Sequence, residues 1–293
     1  MVVTTEDILG YLPNATWAKA ATGLLCVACL LQIGTLVKSP KSVVWVAIIG
    51  TLGEIAGWIC RAFSHYRPTK TYFYIIQFLT LLVAPIFYSA VLYVLLYRWS
   101  LHYGPQFSLF RPNYYVAIFV TADVVAFIVQ IAGGAMSSDQ NNPQIGQHVA
   151  LAGVIFQLVC TVLFCFLQII FMVSVIRVRP VRFVPGSYTL YSPRTKVRDI
   201  SFLFLILSTI AVLVRVIYRT AEFTEYDKFK SSELWFDILD FGPMFVAALF
   251  LIPALYPSMY KPINAADPTK FYSQGTTEST QELTKEGNET YLK

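Results

Sequence analysis

Residues 50–61 read GTLGEIAGWICR, a run of apolar and small residues interrupted by one acid, Glu54, and one base, Arg61. The two charges stand seven residues apart, nearly two helical turns, so they lie on one face of a single helix. A charge at bilayer depth costs about 2.5–3.5 kcal/mol even on the lenient insertion scale, and it is seldom kept without a partner or a water-filled cavity. The stretch therefore predicts a membrane helix whose charges face inward.

The composition of the whole chain is that of a membrane protein. Of its 293 residues, 56% are hydrophobic and 13% are charged, whereas soluble domains carry about 25% charged residues. Seven apolar runs are each long enough to cross a bilayer, which takes about 20 residues. These runs cover residues 17–37, 43–62, 74–97, 114–135, 148–175, 200–220 and 235–256. The sequence therefore predicts an all-α fold, an integral membrane bundle of seven helices.

The basic residues predict the orientation of this bundle. Lys and Arg mark the cytoplasmic loops of membrane proteins, and here they concentrate in alternate loops, most densely between the fifth and sixth runs. We therefore expect an extracellular N-terminus over residues 1–16 and a membrane domain over residues 17–257. Residues 258–293 are rich in Gln, Thr, Glu, Lys and Gly, a composition that buries too little apolar surface to fold. We expect them to form a disordered cytosolic tail.

Three further runs carry polar side chains at helical spacing. They are Asp123 with Gln130 in the fourth run, Arg215, Arg219 and Glu222 in the sixth, and Glu233, Asp237 and Asp240 in the seventh. Each of these sets lies on one helix face, as Glu54 and Arg61 do, and we call the four sets polar stripes. Because each charge needs a partner, we expect all four stripes to face one another around a polar cavity that opens outward. Three arginines facing five or six carboxylates would leave at least one acid unpaired or protonated, and that surplus could receive a cation.

Proline and glycine are expected to shape these helices. Pro85 lies inside the third run and Gly242-Pro243 inside the seventh. Proline has no N–H, so each should bend its helix and free a backbone carbonyl that a polar interior can use. The Gly53-x-x-x-Gly57 spacing lets helix backbones approach closely, so the second helix should pack tightly against a neighbour.

Several classes of function are disfavoured. The net charge is +5, but the arginines collect in a loop beside the membrane, which indicates contact with membrane lipids rather than nucleic acid. His65, His102 and His148 stand at the ends of different runs, on both predicted sides, so we do not expect them to share a metal. The sequence has no Gly-x-x-x-x-Gly-Lys-Ser/Thr loop, so ATP cannot power this chain directly. We expect no catalytic residue, metal or cofactor.

In these elements the sequence resembles the fungal lipid-translocating exporter family of seven-span proteins. Glu54-x-x-Gly57-x-x-x-Arg61 is similar to the family's acid-Gly-Tyr-Arg element, with Trp58 in place of the usual Tyr. Other matching elements are Tyr74-Ile-Ile-Gln77 with Ala84-Pro85, Asp123 to Gln130 with Gly133-Gly134, Gly146 with Gly153 and Gln157, Arg215-x-x-x-Arg219-x-x-Glu222, and Glu233 with Asp240. One departure concerns Asp237, which stands where the family commonly has Tyr.

The resemblance implies a multi-pass protein of the plasma membrane, with an endomembrane as the alternative, that is not an enzyme. Such a protein would move amphiphiles, such as sphingoid bases, sterol-like compounds or other xenobiotics, out of or across the membrane and confer drug resistance. Its partners would be the amphiphilic ligand and membrane lipids. The alternative is a receptor-like seven-helix sensor of lipids, or a regulator of another transporter.

The candidate ligand-binding residues are the polar side chains of the four stripes. They are Glu54, Arg61, Asp123, Gln130, Arg215, Arg219, Glu222, Asp237 and Asp240. Asp123 is the leading candidate because its own helix face carries no basic residue that would neutralise it.

The predicted orientation can be tested through glycosylation. Asn14-Ala15-Thr16 is an acceptor sequence on the predicted outer side, and Asn288-Glu289-Thr290 is one on the predicted cytosolic side. Expressed in a eukaryotic host, the protein should lose mass on treatment with an N-glycosidase. Asn14→Gln should abolish that change in gel mobility and Asn288→Gln should retain it. The reverse pattern would contradict the orientation.

Overall fold

The structure is a computed structural model that describes residues 11–36, 41–103, 112–137, 143–178, 183–184, 187–188, 195–224 and 233–255. Seven helices in these ranges are long and apolar enough to cross a membrane. Helices α1 to α6 span Ala15–Thr35, Lys41–Tyr66, Thr71–Tyr103, Pro112–Met136, Pro143–Val178 and Thr195–Thr224, and α7 spans Glu233–Ala254. Strands β1 (Phe183–Val184) and β2 (Ser187–Tyr188) form a short antiparallel pair between α5 and α6.

The prediction of a seven-helix membrane bundle is confirmed. Each helix overlaps the apolar run predicted for it. Most of the helices are longer than their runs, because a helix satisfies its own backbone hydrogen bonds and need not end where the hydrocarbon does. The predicted tail over residues 258–293 lies outside the described residues, as does the glycosylation sequence at Asn288.

The bundle is closed in the order of the chain. Each helix packs against the next one, and α7 returns to contact α1. Helix α3 is the most central, because it also contacts α5, α6 and α7. The outer faces are apolar: Leu30, Ile118 and Phe166 are 59–67% exposed. An apolar outside around a buried polar set is the arrangement that a bilayer requires.

Helix α1 begins at a polar cap that also ties it to α7. The Asn14 side-chain oxygen accepts hydrogen bonds from the N–H groups of Thr16 and Trp17, at 2.9 and 3.3 Å. The Asn14 N–H in turn donates to both carboxylate oxygens of Glu233, at 2.9 and 3.0 Å. A cap of this kind contributes about 1 kcal/mol. The cap uses the side-chain oxygen of Asn14, whereas a glycan would attach through its nitrogen.

Helix α7 contains a wide turn where the sequence predicts a bend. Glu233–Phe236 is α-helical, Asp237–Phe241 is a π-helix, and Gly242–Ala254 is α-helical again. The Gly242 N–H donates to the Asp237 carbonyl, five residues earlier. Pro243 has no N–H to give to Leu239, so an α-helical bond is missing here. The wide turn falls at the two acids of α7, Asp237 and Asp240.

The glycines of the opening stretch allow a close approach of α2 and α3, as predicted. A methyl group added to Gly57 would lie 2.6 Å from Leu81 Cδ2, and one added to Gly53 would lie 3.3 Å from Ala84 Cβ. Helices α4 and α5 approach as closely at Gly133, where an added methyl group would lie 2.7 Å from Ala150 Cα. These contacts fix the rotation of each helix and so the direction of its polar stripe.

Adjacent glycines of α4 provide a matched test of this packing. Gly133→Ala forces the α5 backbone away, which costs about 1–3 kcal/mol and should lower the melting temperature by about 5 °C. Gly134→Ala should leave it unchanged, because the added methyl group meets only Phe78, at 3.9 Å. The measurement is thermal unfolding of the purified protein followed by size-exclusion chromatography. Equal melting temperatures for the two variants would contradict the tight α4–α5 contact.

Candidate functional site

The outer part of the site is an ion pair between α2 and α7. Arg61 is fully buried, and its Nη2 lies 2.7 Å from Glu233 Oε1. The same nitrogen donates to the Tyr11 hydroxyl at 3.2 Å. Burial raises the pKa of this phenol above its ordinary value, and the positive charge of Arg61 opposes that effect. Arg61 thus joins the segment before α1 to the start of α7.

An aromatic layer separates Arg61 from the next arginine of the bundle. The Phe236 ring centroid lies 4.4 Å from the Arg61 guanidinium carbon and 5.2 Å from that of Arg219. Trp58, one turn before Arg61 on α2, packs against Phe236 at 5.9 Å between ring centroids. Guanidinium groups near an aromatic ring gain electrostatic stabilisation where water is excluded. The ring therefore stabilises two cations in a region without solvent.

The inner part of the site centres on Asp240 of α7. Its Oδ1 accepts a hydrogen bond from Arg219 Nε at 2.7 Å and lies 3.1 Å from Arg215 Nε. Arg219 also donates to Glu222 Oε2 at 3.0 Å, one turn along α6. Asp240 is 1% exposed, so its charge is paired in a region of low dielectric. Two cations one helical turn apart are held together by one shared acid.

A backbone carbonyl completes the coordination of Arg215, as the position of Pro85 predicts. Pro85 lacks the N–H that would bond to the carbonyl of Leu81, four residues earlier. Arg215 Nη2 donates to this carbonyl at 2.5 Å. The proline of α3 therefore provides a hydrogen-bond acceptor for an arginine of α6, which confirms the prediction that a freed carbonyl serves the polar interior.

Glu54 lies beside this inner part but is not hydrogen-bonded to it. The side chain is 1% exposed, and the charges that act on it most strongly are those of Arg215, Asp240 and Arg219. The Trp58 indole N–H faces the Glu54 carboxylate, but neither carboxylate oxygen accepts a hydrogen bond of good geometry from a residue that the structure describes. The same holds, within the described ranges, for Asp237 Oδ1 and Asp240 Oδ2. Buried donors are left over as well, since Nε and Nη1 of Arg61 and the Trp58 indole N–H also lack a hydrogen-bond partner among the described residues.

Three of the four predicted stripes therefore meet. We call this group the charge cluster: Glu54 and Arg61 of α2, Arg215, Arg219 and Glu222 of α6, and Glu233, Asp237 and Asp240 of α7. It holds three arginines and five acids, the imbalance that the sequence predicts. Glu233 is absent from the predicted set of ligand-binding residues, yet it binds Arg61 directly.

The fourth stripe does not join them, and the expectation that all four face one another is wrong in this respect. Asp123 Oδ2 accepts a hydrogen bond from the Tyr93 hydroxyl of α3 at 2.9 Å. Gln130 donates to Gln157 of α5 at 2.9 Å. The reason is the packing of α4, whose extensive contacts are with α3 and α5. We call Asp123 with Tyr93 and the rings packed on it, Phe119 and Phe164, the Asp123 site.

The predicted outward-opening polar cavity also needs correction. Within the described part of the chain, the side chains of the charge cluster fill the space between α2, α6 and α7, and Arg61, Glu54 and Asp240 are each no more than 1% exposed. A cavity of about 270 Å³ opens elsewhere, between α1 and α2, and no predicted ligand-binding residue lines it. The charges pair with one another because an unpaired charge in hydrocarbon costs more.

The structure also contains a row of buried hydrogen bonds that the sequence analysis does not predict. Thr51 Oγ1 lies 2.8 Å from Gln32 Oε1 and 2.8 Å from the Tyr88 hydroxyl, and Gln32 Nε2 donates to the Ala248 carbonyl at 3.2 Å. The row joins α1, α2, α3 and α7 below Glu54. A signal for it is present, since Thr51 stands three residues before Glu54 on the same helix face. Because uncharged polar residues are common in membrane helices, a single Thr or Gln in an apolar run does not by itself predict a buried hydrogen bond.

No group of three or more His, Cys, Asp or Glu within the described ranges is arranged to hold a metal ion. His65 is engaged instead by the Pro13 carbonyl, which lies 2.8 Å from its Nδ1. The carboxylates, arginines and hydroxyl groups of the site can bind charged groups.

Several yeast proteins are similar to this chain in sequence. Protein RTM1 of Saccharomyces cerevisiae is 32% identical over 239 residues, which cover 80% of this chain and 74% of that protein. Protoporphyrin uptake protein 1 of the same yeast is 30% identical, over 60% of this chain and 55% of its own length. The sphingoid long-chain base transporter RSB1 is 30% identical, over 39% of this chain and 31% of its own length.

No solved structure matches the chain. A family model described as RTA1 like protein matches residues 47–262, which run from the first third of α2 to beyond α7 and include every residue of the charge cluster and the Asp123 site. The chain belongs to the RTA1-like family of membrane proteins.

Proposed function

We propose that this protein moves amphiphilic molecules across or out of the plasma membrane without hydrolysing ATP, and so confers resistance to them. Sphingoid bases, sterol-like compounds and other xenobiotics are the substrate classes. The names of two relatives support the proposal, since one is a sphingoid long-chain base transporter and the other a protoporphyrin uptake protein. No catalytic role is part of it.

The observation that carries the proposal is the excess of acid in the charge cluster. Five carboxylates face three arginines, and Glu54, Asp237 and Asp240 each have at least one oxygen without a hydrogen bond from the described residues. A cationic head group would neutralise the surplus negative charge and donate charge-assisted hydrogen bonds to these oxygens, which are about twice as strong as neutral ones. The apolar tail would lie along the helix faces beside it.

Access to these acids requires α7 to move. The cluster is closed in this arrangement, since its inner residues are buried. The π-helical turn Asp237–Phe241 and Gly242 would form the hinge, because π turns inside α-helices occur frequently at functional sites and no atom lies within 4 Å of a methyl group added to Gly242. Movement of the outer part of α7 would carry Glu233 away from Arg61 and open the cluster on the side that we expect to be extracellular.

Glu54 offers a means of coupling transport to a proton gradient. It is buried next to Arg215, and the donor that faces it is the uncharged Trp58 indole rather than a cationic side chain. Either a proton or a cationic amine would neutralise the Glu54 carboxylate. Binding of the amine would therefore release the proton, and binding of a proton would release the amine. Asp123 offers a second such position in its own site.

The proposal predicts a loss of transport in Glu54→Gln. Purified protein in liposomes should move a fluorescent sphingoid base between leaflets, and Glu54→Gln should lower the rate about tenfold or more, because a hydrogen bond to a charged group is worth about 1.5–3 kcal/mol. Arg67→Gln, a charge change outside the cluster, serves as the control and should transport normally. Binding of the base without any movement in the wild-type protein would contradict transport and favour a sensor or regulator.

The Asp123 site makes a separate prediction. Asn at position 123 can still accept the hydrogen bond from Tyr93, but it cannot neutralise a cation. If Asp123 binds the head group, Asp123→Asn should lower transport about tenfold, while Tyr93→Phe should retain most of it. The same liposome assay checks both variants. Normal transport by Asp123→Asn, with loss of stability in Tyr93→Phe, would show that the acid acts as a structural acceptor instead.

A further inference from the structure

A groove on the outer surface of the bundle lies between α1 and α2, away from both sites described above. Its volume is about 270 Å³, and its lining comprises Lys19, Thr22, Ile59, Ala62, Phe63 and Tyr66. Ile59, Phe63 and Tyr66 are 39–57% exposed, so the groove faces outward from the bundle. In a membrane-spanning bundle this surface meets lipid.

The groove is polar at one end and apolar at the other. Lys19 lies in the second turn of α1, and Tyr66 is the last residue of α2, so both stand near helix ends that we expect at the outer interface. Ile59 lies seven residues earlier on α2, about 10 Å deeper in the membrane. A phospholipid has the same division, a charged phosphate at the interface above an apolar chain.

The polar end is built to bind an anion. Lys19 Nζ donates to the Tyr66 hydroxyl at 2.7 Å, and an ammonium group has three N–H donors. Two donors of Lys19 and the hydroxyl hydrogen of Tyr66 can thus point to one acceptor. The positive charge of Lys19 repels the cationic head groups that the charge cluster would attract, so this groove selects the opposite class of lipid.

We propose that the groove binds a phospholipid, with its phosphate on Lys19 and Tyr66 and one acyl chain along Ile59, Ala62 and Phe63. The volume suits part of a lipid, since pockets that hold a whole drug-sized ligand measure about 300–1,000 Å³. Ala62 packs at the same time against the core cluster of Ala18, Trp58, Tyr218 and Phe236. A lipid in the groove therefore braces α1 and α2 beside the charge cluster. The proposal is independent of the transported substrate.

The test measures binding rather than transport. Protein purified in a non-ionic detergent is titrated with phosphatidylglycerol, and binding is followed by native mass spectrometry and by melting temperature, which a ligand of the folded state raises. Diacylglycerol with the same chains should bind at least tenfold more weakly, and inorganic phosphate alone should not raise the melting temperature. Equal binding of diacylglycerol, or equal stabilisation by free phosphate, would overturn the proposal.

Matched variants locate the site. Lys19→Gln should weaken phosphatidylglycerol binding at least tenfold, and Lys19→Arg should restore it, while Lys70→Gln, a lysine outside the groove, should bind as the wild type does. Unchanged binding by Lys19→Gln would overturn the proposal. Ile59→Trp provides a second measurement that leaves the lysine in place, because the larger ring fills the groove from its exposed side. Full binding by Ile59→Trp would likewise place the lipid elsewhere.

Discussion

The cost of a charge in hydrocarbon governs this structure. Arg61, Arg215 and Arg219 cannot stay buried unless each meets an acid or a carbonyl, and each does: Arg61 meets Glu233, while Arg215 and Arg219 share Asp240. These pairings join α2, α6 and α7. They also determine which faces of these helices point inward, and the remaining apolar faces are left for lipid.

A backbone carbonyl and a phenol hydroxyl also form hydrogen bonds with the buried charged side chains. Pro85 turns the Leu81 carbonyl into an acceptor for Arg215, so α3 takes part without a charged side chain of its own. Tyr93 plays a comparable part for Asp123, because a phenol can donate to an acid without adding a second charge. Polar groups without charge thus hold the charged ones in place at a lower desolvation cost.

The sequence predicts much of the fold because the bilayer allows few kinds of backbone structure. Helix number and approximate bounds follow from apolar runs, and the meeting of three stripes follows from charge neutralisation. Pairing across helices is harder to predict. The partner of Asp123 is one of 18 tyrosines, and the partner of Arg61 depends on the rotation of α7, which the wide turn at Asp237 alters locally. The position of α4 depends on backbone contacts at Gly133, which no charge pattern reports.

The shared ring of Phe236 has a consequence for communication across the protein. The ring of Phe236 contacts the guanidinium group of Arg61 in the outer part of the site and that of Arg219 in the inner part. A displacement of the ring would therefore change the surroundings of both arginines. If binding at Arg61 and binding at Arg219 both depend on the position of Phe236, thermodynamic reciprocity requires that each event change the affinity of the other by the same factor. The ring of Phe236 is thus a contact that the two halves of the cluster share.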